Sequence, residues 1–249
     1  MRVTNKEGVT MATDQAPEPT QTKPGTSKRK SLKLAGMVAA GLFVLLLVIG
    51  LFANPVAKYS TSDLVSETKD NISYSRPKQW VDASKVEKLK KDFGLSSGNA
   101  SVFSDKIVQD KNGNSQIPTA FVLFGKASDA STDVTVFKDP AVRSQFEKTM
   151  DTSLTQDSFK SNECRSVNGF SKNFNYDYIG FPVSVALKFN CQLSDTEKKN
   201  LKSDSIEVRM AIIVAKNGNT YLYALFASDK SWAKNEPVYL QMMKDLHGN

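Results

Sequence analysis

The chain has 249 residues, 40% hydrophobic and 24% charged, so it holds enough apolar material for one ordinary domain and is not disordered throughout. Two cysteines and one histidine exclude a Cys/His zinc site and a multi-bridge disulfide scaffold. The formal net charge is +7, but residues 1–33 carry 7 Lys or Arg against 3 Asp or Glu, whereas residues 54–249 carry 26 against 23. Much of the positive excess therefore lies beside an apolar segment, which indicates membrane topology rather than nucleic-acid binding.

The N-terminal part predicts a tail followed by a membrane anchor. Residues 1–33, starting at Met1 or at Met11, are rich in Pro, Thr, Gln and Ser and lack apolar periodicity, so we expect a disordered cytoplasmic tail. Leu34 to Ala53 contains no charged side chain, and its twenty residues would span about 30 Å as a helix, enough to cross the lipid bilayer.

The distribution of basic residues predicts the orientation of this anchor. Four basic residues lie within 28–33, whereas Lys58 is the first basic residue on the other side. The positive-inside rule then places the N-terminus in the cytoplasm and the C-terminal domain outside the cytoplasm. The residues after the apolar run do not fit a signal-peptidase site, so we expect an uncleaved, single-pass signal anchor in the cell membrane.

The first half of the external part mixes strand and helix signals. Residues 54–70 are polar with scattered aliphatics and indicate a stalk or the approach to a first strand, and residues 71–249 form the predicted domain. Within it, 71–80 is typical of an edge strand that enters a turn at Pro77. A capping box and Gly94 predict a short helix within 84–94. After an Asn-Gly turn at 112–113, residues 117–124 predict a strand covered on both faces.

The second half carries clearer patterns. Asp139 and Pro140 predict the start of a long helix whose apolar residues recur every fourth position. Residues 181–191 alternate strictly between apolar and other residues and predict a strand with one core face. Residues 206–215 and 221–227 flank Asn217-Gly218 and predict a hairpin with positive φ at both central positions. Pro237 predicts the start of a last short helix.

These elements predict an α+β fold, with an antiparallel-rich sheet and flanking helices. The segment SYSRPKQW, the helix of roughly twenty residues after Asp139, the hairpin ending in NGNTYLYALFA and the helix with MMKDL resemble the PsbP-like domain family over roughly residues 71–246. The resemblance implies an α/β/α sandwich. It also implies a non-enzymatic module that docks on protein partners or binds a ligand, because the family has no catalytic motif to transfer.

The two cysteines favour a disulfide between Cys164 and Cys191, because the domain is predicted to lie in an oxidising compartment and only one pairing exists. The alternative is a pair of buried free thiols. His247 is the sole histidine and lies near the end of the sequence, where nothing would fix it as a general base. We therefore predict no enzyme activity, no catalytic residue, no metal and no cofactor.

Tyr176, Tyr178 and Trp232 are the predicted partner-binding residues, because exposed aromatic side chains often anchor protein partners; the alternative is that they pack in the core. The leading hypothesis is a membrane-anchored binding or docking module outside the cytoplasm, whose partners are the bilayer and an unidentified envelope protein or ligand, with no nucleic acid. The alternative is a bitopic scaffold subunit of a secretion, transfer or division complex. An external hydrolase that works through carboxylates is the third hypothesis.

Overall fold

The computed structural model describes residues 56–83, 100–106, 118–128 and 132–249. The predicted tail and anchor, the short helix within 84–94 and the turn at 112–113 lie outside these residues. Within the part of the chain that the structure describes, no helix is long and apolar enough to cross a membrane. The strands are β1 (Leu64–Lys69), β2 (Ile72–Pro77), β3 (Val81–Asp82), β4 (Ala100–Ser104), β5 (Ala120–Ser128), β6 (Cys164–Tyr178), β7 (Phe181–Leu193), β8 (Ser205–Val214), β9 (Thr220–Ser228) and β10 (His247–Gly248), and the helices are α1 (Pro140–Ser153), α2 (Asp195–Leu201) and α3 (Asp229–Lys244).

A seven-stranded sheet in the order β3-β4-β5-β9-β8-β7-β6 forms the centre of the domain, and every neighbouring pair is antiparallel. One face carries a core that includes Met150 of α1 and Phe159 of the following 3-10 turn. The other face packs against α3 and a small sheet in the order β1-β2-β10. A mostly antiparallel sheet with few helices confirms the predicted α+β class.

Several predicted elements match the structure closely. The alternating segment forms β7, whose Val183, Val185, Leu187 and Phe189 are all buried. The predicted hairpin forms β8 and β9, but only Gly218 of its turn has a positive φ, at 76°. The Asn217 side chain instead accepts a hydrogen bond from the Asn219 backbone N–H, so the loop closes with one left-handed residue rather than two.

Other boundaries differ from the prediction. The strand predicted at 117–124 begins at Ala120, because Pro118 has no N–H and the N–H of Thr119 donates to the Asp105 carboxylate at 2.9 Å. Residues 64–69, within the predicted stalk, pair with β2 as strand β1, so the domain begins before residue 71.

The helices also differ from the prediction. Helix α1 begins at Pro140, capped by Asp139 as predicted, but it has 14 residues rather than roughly twenty. Helix α3 begins at Asp229, before the predicted start at Pro237, and Asn235 interrupts it with a φ of −127° and a ψ of 15°. Pro237 is tolerated because the break at Asn235 comes just before it.

The sequence patterns did not predict the 15-residue edge strand β6. Its pairing with β7 is irregular between Cys164 and Ser166 and again between Asn168 and Ser171. Lys172 points toward the core side, where its Nζ donates to carbonyl oxygens in the last turn of α1 and just after it, at 3.1 and 3.0 Å, and pairs with a carboxylate at 2.7 Å. Lys172 thus caps α1, and an inward charge with bulges protects an edge strand against pairing with other chains.

Candidate docking site at the turn end

Three hairpin turns meet at one end of the domain, which we call the turn end: Asp70–Asn71, Ile179–Gly180 and Lys216–Gly218. Consecutive antiparallel strands reverse direction at alternate ends of a sheet, so the β6–β7 and β8–β9 turns lie at the same end of the large sheet. The β1–β2 turn of the small sheet lines one cleft together with them. The Cys164–Cys191 disulfide lies at the opposite end of the same strands, which we call the disulfide end.

The β6–β7 turn has an unusual backbone for its sequence. Tyr178 pairs with Phe181, so Ile179 and Gly180 are the two central residues, with φ values of 46° and 82°. Positive φ at both central positions is typical of type I′ hairpin turns, which favour Asn, Asp or Gly. A β-branched residue in this region is a genuine outlier, and the left-handed conformation costs a non-glycine residue about 1–2 kcal/mol.

The β1–β2 turn is an internal reference for this strain. Asp70 and Asn71 are its central residues, with φ values of 54° and 61°. Asp and Asn tolerate the left-handed region because their short polar side chains can bond to the local backbone. The same kind of turn is therefore built from tolerant residues in one hairpin and from Ile179 in the other, which makes Ile179 a candidate functional residue.

The Ile179 turn also exposes large apolar side chains. Tyr178 is 55% exposed and Ile179 is 41% exposed. Among the residues that the structure describes, the other large apolar side chains with comparable exposure are Val136 and Leu240, each at 40%. Val136 lies in a 3-10 turn, and its neighbour Phe137 contacts Tyr176, near the end of β6 that leads into the Ile179 turn. Leu240 lies on α3. Three of these exposed side chains therefore lie toward the turn end.

Contacts on both sides fix the turn. The Arg143 guanidinium lies 3.3 Å from the carboxylate of Asp177, which itself has a φ of 50°. On the other side, the backbone N–H of Gly248 donates to the Ile179 carbonyl oxygen at 2.8 Å. Surrounding contacts of this kind allow a strained conformation to persist in a folded protein.

Tyr176 lies in a different environment from Tyr178. Its hydroxyl donates to a Glu147 carboxylate oxygen at 3.1 Å, and the Arg143 guanidinium lies 4.5 Å from the centre of its ring. Partial burial, together with the nearby Glu147 carboxylate, raises the pKa of Tyr176 above its ordinary value. These contacts join β6 to α1 and place Tyr176 on the core side of the sheet.

Trp232, on α3, is also engaged inside the domain. The centre of the Trp232 ring lies 5.4 Å from that of Tyr239, and the Arg209 guanidinium lies 4.8 Å from the centre of the Trp232 ring. Burial lowers the pKa of Arg209, whose guanidinium pairs with Glu207 at 2.7 Å.

Of the predicted partner-binding residues, the structure thus brings only Tyr178 to the exposed turn. Ile179, Arg143 and Gly248 were not predicted; the Asp-Tyr-Ile-Gly sequence before an alternating strand was the available signal for a hairpin turn.

A shallow cleft of about 160 Å³ adjoins the Ile179 turn. Its lining includes Asn71, Gly180, Lys216, Asn217 and Asn249. The cleft is smaller than the pockets that usually enclose cofactors or drug-sized ligands. Within the described ranges, no group of three or more His, Cys, Asp or Glu side chains is placed to hold a metal ion.

The disulfide between Cys164 and Cys191 is confirmed. Their Cα atoms lie 5.4 Å apart, within the range for disulfides, and both residues are buried. The bond joins the edge strand β6 to β7, and both cysteines belong to the core on the same face of the sheet. It therefore stabilises the disulfide end rather than forming part of the exposed turn.

No protein-family description and no curated protein matches the chain. Among solved structures, the solution structure of cyanobacterial PsbP (CyanoP) from Synechocystis sp. PCC 6803 is 13% identical with a TM-score of 0.40, and the match covers 80% of this chain and 97% of that one. The crystal structure of PA94, a protein of unknown function from Pseudomonas aeruginosa, is 15% identical with a TM-score of 0.32, covering 75% and 97%. These likenesses transfer no activity, ligand or partner to this chain.

Proposed function

We propose that this protein is a non-enzymatic docking module with a PsbP-like domain, held on the outer side of the cell membrane by a helix over residues 34–53. Tyr178 and Ile179 would enter an apolar pocket of a partner protein in the cell envelope. The observation that carries the proposal is the exposure of these two side chains on a left-handed turn that Ile179 disfavours. Tyr is enriched among the residues that dominate binding energy in protein interfaces.

The path of the chain supports an orientation in which the turn end faces away from the bilayer. Just after the predicted anchor, the carbonyl oxygens of Val56 and Ala57 accept hydrogen bonds from Lys234 and Asn235 of α3, at 2.5 and 2.9 Å. Strand β1 then runs for 6 residues to the β1–β2 turn, a distance of about 20 Å. A chain anchored through Ala53 would therefore present the turn end away from the bilayer.

Photocrosslinking in intact cells tests the proposal. A photoreactive amino acid at position 179 should give one dominant adduct with a partner protein. The matched control has the same amino acid at exposed Lys160, near the disulfide end, and should give no such adduct. With the photoreactive residue at position 178, the additional change Ile179→Asp should abolish the adduct, because a carboxylate is costly to bury in an apolar pocket. Equal adducts from positions 179 and 160 would contradict the proposal.

The alternative function, a scaffold subunit of an envelope machine, uses the same layout of tail, helix and outer domain. Stoichiometry distinguishes the two. Native mass measurement after gentle detergent extraction should find this chain alone or with one partner if it is a docking module. A stable assembly with several subunits, which survives Ile179→Asp, would favour the scaffold.

A further inference from the structure

Residues 247–249, which we call the strap, connect the three turns of the turn end. Strand β10 of the strap pairs with β2. The backbone N–H of Gly248 donates to the Ile179 carbonyl at 2.8 Å, and that of Asn249 donates to the Asn71 carbonyl at 2.9 Å. The Lys216 ammonium lies 3.4 Å from the Asn249 carbonyl oxygen. One short segment thus contacts a residue of each turn.

The strap lies directly on the Ile179 turn. A Cβ atom added to Gly180 would lie 2.8 Å from the carbonyl carbon of Gly248 and closer still to its oxygen. A Cβ atom added to Gly248 would lie 2.7 Å from the carbonyl oxygen of Gly180. The obstacle in each case is backbone, which cannot move aside as a flexible side chain would. Both positions therefore require glycine for the strap and the turn to approach this closely.

The side chain of the last strap residue adds a further link. The Asn249 amide donates to the Ser73 hydroxyl at 3.0 Å, and this hydroxyl in turn lies 3.0 Å from that of Thr68. The strap is therefore fixed to the small sheet independently of its contact with the Ile179 turn. It forms a stable support against which the strained turn is held.

We propose that the strap is a positioning element that holds Ile179 in its left-handed, exposed conformation, and that docking requires it. This inference rests on the proposed function for its second part only. Without the strap, the Ile179 carbonyl loses its hydrogen bond from Gly248, and the β-branched residue returns to the ordinary conformations of an L-residue. The apolar pair Tyr178–Ile179 would then no longer be presented as a fixed unit.

Hydrogen exchange on the full-length protein in detergent micelles, compared with a chain that ends after Leu246, tests the first part. Exchange of amides within 177–181 should become at least tenfold faster in the shortened chain, whereas amides in the centre of β8 and β9 keep their protection. Unchanged exchange at 177–181 would overturn the proposal. The crosslink from position 179 should fall at least fivefold, and an undiminished crosslink would overturn the second part.

A pair of glycine variants covers the case in which the shortened chain does not fold. Gly180→Ala introduces a methyl group against the strap. Gly169 also has a positive φ, 60° against 82° for Gly180, but Gly169→Ala places no atom within 4 Å of the new Cβ. Exchange of the Gly248 and Asn249 amides should accelerate in Gly180→Ala and stay unchanged in Gly169→Ala. Equal effects would overturn the strap contact. These measurements need no partner, so they stand even if crosslinking finds none.

Discussion

Replacing Ile179 by Asn should leave the stability of the domain nearly unchanged while abolishing docking. The change creates an Asn-Gly pair at the centre of a hairpin turn whose two φ values are already positive. The left-handed conformation costs a β-branched residue about 1–2 kcal/mol, and Asn at the same position avoids about half of this cost. Ile179 is 41% exposed, so the substitution gives up only part of the burial of an isoleucine. Burial of this fraction of an isoleucine is worth about 1 kcal/mol, so the gain in the turn and the loss of burial should nearly cancel, and we expect the free energy of unfolding to change by less than about 1 kcal/mol.

Urea unfolding of the full chain in detergent micelles measures this difference, with fluorescence from the buried Trp80 and the half-buried Trp232 as the signal. The matched control is Asp70→Ile, which places isoleucine at the equivalent position of the β1–β2 turn, where φ is 54°. It should lower the free energy of unfolding by about 0.5–1 kcal/mol, the difference between isoleucine and a tolerant residue in the left-handed region. The reasoning is refuted if Ile179→Asn lowers the free energy of unfolding by more than about 1 kcal/mol, if Asp70→Ile has no effect, or if Ile179→Asn retains the crosslinked partner.

Three further predictions concern the rest of the domain. Replacing both Cys164 and Cys191 by Ala should lower the free energy of unfolding by up to about 3.5 kcal/mol on the chain-entropy estimate, measured without reductant; no change would indicate that the bond does not form in cells. Lys172→Met should cost about 2–3 kcal/mol by removing a charged cap from α1, whereas Lys188→Met, on an exposed position of β7, should cost less than about 0.5 kcal/mol; similar costs would contradict the capping role. Burial, with a smaller contribution from a nearby carboxylate, raises the pKa of Tyr59 from 10.0 to about 12. The folded state therefore favours the neutral Tyr59 hydroxyl, and the resulting contribution to the free energy of unfolding is complete below pH 10.0 and is lost as the pH rises through about 12. Tyr59→Phe should therefore show a shallower loss of stability between these pH values in alkaline unfolding titrations, and an unchanged slope would contradict this assignment.

Sequence patterns predicted the elements in which local and tertiary signals agree. Strand β7 was predictable because every second residue faces the core without interruption. The start of α1 was predictable because Asp139 accepts a hydrogen bond from the Ala141 backbone N–H at 2.8 Å and Pro140 occupies the first turn. The disulfide followed from composition, since only Cys164 and Cys191 exist to pair.

Strand β6 was not predictable from alternation because its irregular pairing interrupts the period of two. Val167 packs on the core side before the irregularity, Phe170 packs there from within it, and Phe174 continues the series beyond it. Lys172 takes a core-side position that a pattern search assigns to an apolar residue. A bulge and an inward charge are devices that protect sheet edges, so the features that define this edge strand also conceal it.

The docking site was predictable only in part. Tyr178 was singled out as an aromatic residue, but separating it from Tyr176 required the position of Arg143, whose guanidinium covers the Tyr176 ring. The strain at Ile179 depends on φ values that no composition or spacing reveals. The role of Gly248 depends on contact between segments that are distant in the chain, which a single sequence does not show.

The central claim is that the domain stands outside the cytoplasm on its membrane anchor with the turn end accessible. Labelling of single introduced cysteines in spheroplasts with a membrane-impermeant maleimide tests it most directly. Tyr178→Cys should be labelled in intact spheroplasts, whereas Ser27→Cys, in the predicted cytoplasmic tail, should be labelled only after the membrane is permeabilised. Labelling of Ser27→Cys in intact spheroplasts while Tyr178→Cys remains protected would contradict the account.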